Sequence, residues 1–201
     1  MIDNLTKDTI FKSYSPNILQ PGLDRIVIQT HTNTKAKRKF DKYHICLYCG
    51  KCVLKMGRHL CDKHPDKGEV KPILEMEKNS LERKDALFLL TLKGDFLHNC
   101  HVIKEQKGIL LVIRRAGEDI DPQNYIPCIY CLGFIQKRQA YRHVETCIEL
   151  KKNSDNNSFK AQQYRSHSVI KHSKRLLNFM ANPHSEDVHD DWTKLKGKLK
   201  R

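Results

Sequence analysis

Three cysteines and one histidine near residue 140 are spaced like the ligands of a metal ion. Cys128 and Cys131 form a C-x2-C turn, and His143 and Cys147 follow after eleven residues, four positions apart. Such a turn presents two thiolates together, and residues four apart lie on one face of a helix. Zn2+ is bound by four such ligands at the corners of a tetrahedron. We therefore predict that these four residues bind one zinc ion.

The residues between these ligands have the apolar spacing of a small ββα unit. Phe134 and Ala140 occupy its two main core positions, and the small Ala140 leaves space for Tyr141 or Val144. A fold of about 20 residues buries too little apolar surface to be stable by itself. The bound ion is therefore expected to supply the stability.

A second Cys/His cluster precedes this one, with less regular spacing. Its pattern, C-x2-C-x9-H-x4-H, again offers four ligands that suit zinc. Val53 and Met56 would form its core. The preferred ligands are Cys46, Cys49, His59 and His64. Together the clusters predict two zinc ions per chain.

Other cysteines compete for this first site. In a rival ligand set Cys61 replaces His59, which lengthens the loop but leaves Cys61 only three positions from His64. Cys52 extends the turn to C-x2-C-x2-C and is a further competitor. Cys100 has no partner pair at metal spacing, so we predict that it is a packed thiol.

Positive charge is concentrated around the first cluster and at the C-terminus. The formal net charge is +14; residues 35–71 hold 11 basic and 4 acidic residues, and residues 194–201 add +5. Clustered Lys and Arg beside a small folded module indicate a polyanionic partner, usually nucleic acid. The run 35–39 is also typical of a nuclear import signal. We therefore predict a nuclear protein that contacts nucleic acid, DNA in preference to RNA.

Six cations beside the two clusters are the candidates for phosphate contact. Three flank the first cluster and three lie on the predicted helix of the second. They are Lys51, Lys55, Arg58, Lys137, Arg138 and Arg142. Such residues neutralise phosphates and make the affinity fall with salt. One isolated finger would read only about three base pairs.

The two clusters divide the chain into five segments. Residues 1–39 are predicted to be a disordered basic arm, 40–66 the first finger, 67–127 a connector, 128–150 the second finger and 151–201 a mostly disordered basic tail. The predicted fold is small α+β, with two zinc-stabilised ββα-like fingers joined by a short helix-strand patch. About 80 residues separate the first cysteines of the clusters, so we expect the fingers to act separately.

The connector contains an apolar patch outside the clusters. Asn79 with Glu82 resembles the start of a helix, and Gly94 predicts its end. A second short helix would begin near Asp95, and the apolar run 109–113 predicts a strand. An apolar helix of this kind could also dock a protein partner, which gives the alternative function of a protein-interaction module.

The motifs resemble Cys-Cys-His-His and Cys-Cys-His-Cys zinc fingers. More particularly, they are similar to the front part of uncharacterised, repeat-rich animal proteins related to mobile elements. The segments that carry this likeness are 46–49, 58–60, 94–99, 127–134 and 141–144. The resemblance implies His59 and His64 as ligands and a nuclear, DNA-associated role. Some relatives continue into a recombinase-like part that this chain lacks, so catalysis is not implied.

The sequence favours a binding module over an enzyme. Catalytic zinc keeps one position open, whereas each cluster offers four ligands. Residues 127–131 match the P-C-x-x-C half of a deaminase motif, but no upstream H-x-E completes it. We find no phosphate-binding glycine loop, no nucleophile elbow and no apolar run long enough to span a membrane. We predict neither a small-molecule substrate nor a membrane partner.

Overall fold

A computed structural model describes residues 24–31, 41–118 and 120–154 of the chain as a small mixed α/β structure with short strands. The helices are α1 (Met56–Lys63), α2 (Lys71–Glu75), α3 (Leu81–Glu105), α4 (Ala140–Thr146) and α5 (Ile148–Ser154). The strands are β1 (Ile26–Val27), β2 (His44–Ile45), β3 (Cys52–Val53), β4 (Gly108–Ile109), β5 (Tyr125–Pro127) and β6 (Phe134–Gln136). No helix within the described ranges is both long and apolar enough to cross a membrane.

Helix α3 is the central element, and both Cys/His segments pack on it. Its residue Leu90 belongs to an apolar cluster with Met56 and Leu60 of α1. Two positions further on, Leu92 packs against Cys128 and Cys131. The segment 67–127 is therefore more than the predicted connector, because its helix forms the core that the two Cys/His segments share.

Helix α3 begins one residue later than the sequence pattern predicts and continues through the predicted stop. Ser80 is the N-cap, and its hydroxyl accepts a hydrogen bond from the Arg83 amide at 3.1 Å. Gly94 lies inside the helix, so the predictions of an end there and of a second helix near Asp95 are wrong. The glycine serves close packing, since a Cβ at this position would lie 2.1 Å from the carbonyl oxygen of Ile45.

Part of the predicted N-terminal arm is ordered. Strand β1 pairs in parallel with β4, with Ile26 opposite Gly108 and Val27 opposite Ile109. Ile28 is buried in the main apolar cluster with Phe96 of α3. The apolar run at 26–28 thus finds partners far along the chain, which its local sequence does not reveal. The import-like run 35–39 and the tail from residue 155 lie outside the described residues.

Asn99 of α3 links the helix to the chain after β4. Its amide nitrogen donates to the Leu111 carbonyl at 2.7 Å, and its oxygen accepts from the Leu111 amide at 2.8 Å. Only 1% of Asn99 is exposed. The side chain therefore satisfies both backbone hydrogen-bonding groups of Leu111, as a neighbouring strand would in a sheet.

Replacing Asn99 with alanine should lower the free energy of unfolding by about 2–4 kcal/mol, because it leaves a buried donor and a buried acceptor without partners. Urea unfolding followed by circular dichroism measures this loss. Asn79→Ala is the control, since Asn79 is exposed, and it should change stability by less than about 0.5 kcal/mol. Equal stability of the two variants would contradict the assigned role of Asn99.

Candidate metal centres

The second Cys/His cluster brings four ligand atoms together. The Sγ atoms of Cys128, Cys131 and Cys147 and a ring nitrogen of His143 all lie within 4.8 Å of one another. Cys131 Sγ is 3.4 Å from His143 Nε2, and Cys128 Sγ is 4.0 Å from Cys147 Sγ. A tetrahedral zinc ion holds such atoms about 3.4–3.8 Å apart. The four residues can therefore hold one metal ion.

A hairpin and the helix after it position these ligands. Strands β5 and β6 pair antiparallel, and the turn between them is closed by a hydrogen bond from the Leu132 amide to the Cys128 carbonyl at 2.8 Å. His143 lies in α4, whereas Cys147 follows its end, where the chain turns into α5. The four-residue spacing predicts that His143 and Cys147 lie on one continuous helix. In the structure they do not, because the helix that holds His143 ends before Cys147.

Hydrogen bonds within this cluster shift the pKa values of its side chains. Hydrogen bonds with Cys128 and Cys131 hold the pKa of Cys147 far below its usual range. Burial lowers the pKa of His143, but hydrogen bonds with Cys128 and Cys147 raise it to about 9 overall. Hydrogen bonds with Cys128 and Cys147 raise the pKa of Cys131. Metal binding must release the remaining protons, because thiolate and neutral imidazole are the ligating forms.

The apolar interior around this cluster is larger than the sequence indicates. Phe134 and Ala140 are fully buried, as their spacing predicts. However, Tyr141 is 50% exposed, and Ala140 clusters instead with Ile126 and Ile135. Phe134 packs in the main cluster with residues of α3. The metal therefore does not replace a whole interior, because α3 and the β5–β6 hairpin already provide an apolar core.

The first Cys/His cluster brings together the preferred ligand set. The ligand atoms of Cys46, Cys49, His59 and His64 all lie within 4.8 Å of one another. Cys49 Sγ is 3.3 Å from His59 Nε2. Within the described residues, His64 Nε2 is buried and has no hydrogen-bond partner. A buried nitrogen of this kind is costly unless something binds it, so a metal ion would satisfy it.

The same hairpin-and-helix order positions the first cluster. Strands β2 and β3 pair antiparallel, and Gly50 in their turn has φ 65°, which favours glycine. His59 lies in α1 and His64 just after its end. Burial, with Lys51 nearby, lowers the pKa of His59. Burial beside His59 lowers that of His64. Both imidazoles are thus disposed to the neutral form that binds metal.

The competing cysteines lie outside this first cluster. Cys61 on α1 is 3.7 Å from the Arg83 guanidinium. Cys52 on β3 pairs with Ile45 and packs in an apolar cluster. Cys100 packs against the main core, and burial raises its pKa to about 12. The geometry therefore groups His59, rather than Cys61 or Cys52, with the other three ligands.

Sequence reasoning missed the contact that holds the first cluster against α3. Asp95 Oδ1 accepts a hydrogen bond from the Ile45 amide at 3.1 Å, and Oδ2 pairs with His44 Nδ1 at 2.7 Å. Gly94 lets the two backbones approach closely enough for these bonds. Because Cys46 directly follows Ile45, the Gly94-Asp95 pair positions a metal ligand. The buried Asp95 was the available signal, since it interrupts an apolar helix.

Of the six predicted phosphate-binding cations, three line two separate surface depressions. Lys55 and Arg58 line the α1–α3 groove, an open depression of about 390 Å³ that Lys84, Leu87 and Phe88 also line. Sequence analysis did not identify Lys84, which becomes a neighbour only when α3 packs on α1. Lys51 is exposed but does not line this groove.

The other three cations lie near the second cluster. Arg138 lines the Arg114 cleft, a depression of about 570 Å³ between residues 114–118 and residues 136–139. The Arg142 guanidinium lies 5.5 Å from the centre of the Tyr141 ring, and Lys137 is half-buried. Within the described part of the chain, no ion pair joins any of the six to a carboxylate.

Comparison with known protein families, with curated proteins and with solved structures finds no match to this chain. The sequence and structure therefore establish two Cys/His clusters that could each hold a metal ion and that resemble zinc-finger motifs. The likeness to mobile-element-related proteins has no support from these comparisons.

Proposed function

We propose that this chain is a zinc-binding module that contacts nucleic acid, DNA in the first place, through cations beside two structural zinc sites. The observation that carries the zinc assignment is the convergence of four ligand atoms in each cluster, including a buried His64 nitrogen without a partner. Four Cys and His ligands in a closed set are typical of structural zinc. In this proposal each hairpin and its helix form a finger-like unit fixed against α3.

The charge distribution supports nucleic acid as the partner. The predicted cations Lys55 and Arg58 and the additional Lys84 line one groove, and no carboxylate of the described residues lines it. Cations that lack an internal carboxylate partner are available to phosphates, and neutralising phosphates releases counterions from nucleic acid. A DNA-associated role would also imply the nuclear localisation that the sequence predicts.

A salt titration of binding to duplex DNA tests this function. The affinity of the full chain should fall linearly with salt on logarithmic axes, and the double variant Lys55→Gln/Arg58→Gln should bind more weakly. The slope should decrease by about 0.9 for each lost phosphate contact. Lys104→Gln/Lys107→Gln removes the same charge from the opposite end of α3 and serves as the control. No binding at low salt, or equal slopes for the two double variants, would refute the proposal.

A protein-interaction module is the alternative, and one observation favours it. Leu87 and Phe88 line the α1–α3 groove together with Leu54, which is 43% exposed. Against it, Leu90 and Leu92 of the proposed docking helix are buried inside the molecule. Charge reversal at Lys137, Arg138 and Arg142 separates the two functions, because binding of a partner through apolar contacts would survive it.

The proposal assigns no catalysis to the chain. Each metal would be closed by four protein ligands, and a catalytic zinc requires a position for water or substrate. Hydrolysis of nucleic acid by the zinc-loaded protein would refute this part of the proposal.

A further inference from the structure

The Arg114 cleft concentrates guanidinium groups beside the second metal cluster. Arg114, Arg115 and Arg138 line it, together with Gln139 and one carboxylate, Glu118. The cleft is open to solvent, and its volume of about 570 Å³ is large enough to take a small ligand. Guanidinium is the side chain that best matches phosphate, because its planar fork donates two parallel hydrogen bonds.

One wall of the cleft holds Arg138 in a fixed orientation. Arg138 Nε donates to Gln136 Oε1 at 3.0 Å, and Gln136 Nε2 donates to the Tyr125 hydroxyl at 3.0 Å. Gln136 and Tyr125 are 7% and 2% exposed. The guanidinium therefore has a buried support at Nε, while its two terminal nitrogens remain available to a ligand. A side chain already ordered in this way loses little entropy on binding.

The opposite wall is also anchored at several points. The Ile113 amide donates to the Phe134 carbonyl at 2.9 Å, and the His31 amide donates to the Ala116 carbonyl at 2.9 Å. Arg115 forms an ion pair with Asp41, which holds its side chain in place. Arg114 is exposed and has no ion pair or hydrogen bond among the described residues. Arg114 and Arg138 thus line one cleft from the two segments that form it, and neither has an ion pair among the described residues.

We propose that the Arg114 cleft binds a nucleoside monophosphate unit, with its phosphate between Arg114 and Arg138. A bare phosphate would fill only a small part of the volume, which leaves room for the sugar and base. Glu118 can only accept hydrogen bonds, so it suits a sugar hydroxyl rather than the phosphate. Because it names a ligand for the face that carries Arg138, this inference rests on the proposed function. The unit can be a free mononucleotide or the phosphorylated end of a nucleic-acid strand.

Calorimetric titration of the full, zinc-loaded chain with adenosine monophosphate tests the inference. Arg138→Lys keeps the charge but loses the fork and the bond to Gln136, so it should weaken binding by about tenfold or more. Arg114→Gln should weaken it to a similar extent. Arg25→Lys is the matched control on an exposed arginine outside the cleft and should leave the affinity within about twofold of the parent chain. Circular dichroism and zinc content verify that each variant is folded.

Two further arms identify the source of the nucleotide. A single-stranded oligonucleotide with a 5′-phosphate should compete with adenosine monophosphate if strand ends bind, and the same oligonucleotide without that phosphate should compete more weakly. Equal competition by both oligonucleotides, both weaker than the mononucleotide, assigns the cleft to free nucleotides.

The outcomes separate this inference from the proposed function. Duplex binding without any binding of adenosine monophosphate or inorganic phosphate overturns the cleft assignment and leaves the proposed function standing. If the chain binds the mononucleotide, Arg138→Lys weakens that binding, and no duplex binds at low salt, the cleft assignment stands and the proposed function is overturned. Equal affinities of the parent chain and Arg138→Lys, or equal losses in Arg138→Lys and Arg25→Lys, overturn the inference.

Discussion

Replacing Cys128 with serine should abolish metal binding at the second cluster and lower the zinc content from two ions per chain to one. Cys128 is 1% exposed and packs with Leu92 of α3, so its hydroxyl replacement is both a poor ligand and a buried polar group. Structural zinc sites contribute about 10–16 kcal/mol of apparent binding free energy to folding. We therefore expect a loss of more than about 3 kcal/mol in the free energy of unfolding at saturating zinc.

The matched control is Cys61→Ser, which changes the same side chain outside both clusters. Cys61 is half-buried near Arg83, and its sulfur is not among the ligand atoms that converge in either described cluster. This variant should retain two zinc ions and nearly the full stability. If Cys61→Ser loses an ion, the rival ligand set with Cys61 in the place of His59 is correct. If Cys128→Ser retains two ions, the second site is not the one proposed.

Substituting Gly94 with alanine should destabilise the fold by about 2–4 kcal/mol, although alanine is the better helix former by about 1 kcal/mol. The added Cβ would lie 2.1 Å from the Ile45 carbonyl oxygen and 2.9 Å from the Leu47 amide nitrogen. Both neighbours are backbone atoms on either side of Cys46, so they cannot move aside cheaply. The substitution should therefore also weaken zinc binding at the first cluster.

Gly57→Ala is the control for this prediction, and it should raise the free energy of unfolding instead of lowering it. A Cβ at Gly57 in α1 would meet only the Leu87 side chain, at an ordinary 3.5 Å. Higher helix propensity should then stabilise the protein by up to about 1 kcal/mol. Urea unfolding of both variants gives the comparison. Similar effects of the two alanines would show that α3 and β2 are not in the contact described.

The metal clusters were predictable from sequence because their ligands are local and their spacing is chemically constrained. The turns at Cys46 and Cys128 and the later pairs at His59 and His143 converge as the spacing indicates. What the spacing could not decide was whether His59 or Cys61 completes the first set. That depends on the rotation of α1, which is set by burial of Met56 and Leu60 against α3.

The packing between distant segments could not be predicted in this way. The pairing of β1 with β4 joins residues about 80 positions apart, and a two-residue strand carries too little pattern to reveal its partner. Gly94 was misinterpreted for a related reason, since a glycine that ends a helix and one that admits a neighbouring backbone look alike in sequence. That neighbour is β2, and only the tertiary structure shows that it packs against Gly94.

The shared core changes what metal removal should do. Because α3 packs on both Cys/His segments, an apolar interior remains when the ions leave, and α3 should keep much of its helicity. The hairpin turns at 46–51 and 128–133 lie at the metal sites and should lose their protection from hydrogen exchange. This combination differs from the complete unfolding that two free-standing fingers would show.

The most direct measurement is native mass spectrometry of the reduced, full-length chain, before and after treatment with a strong chelator. We expect a mass equal to the chain plus two zinc ions, with both ions lost and the turns at 46–51 and 128–133 opened after chelation. A purified chain that carries no metal, and whose hydrogen exchange is the same with and without chelator, would contradict it.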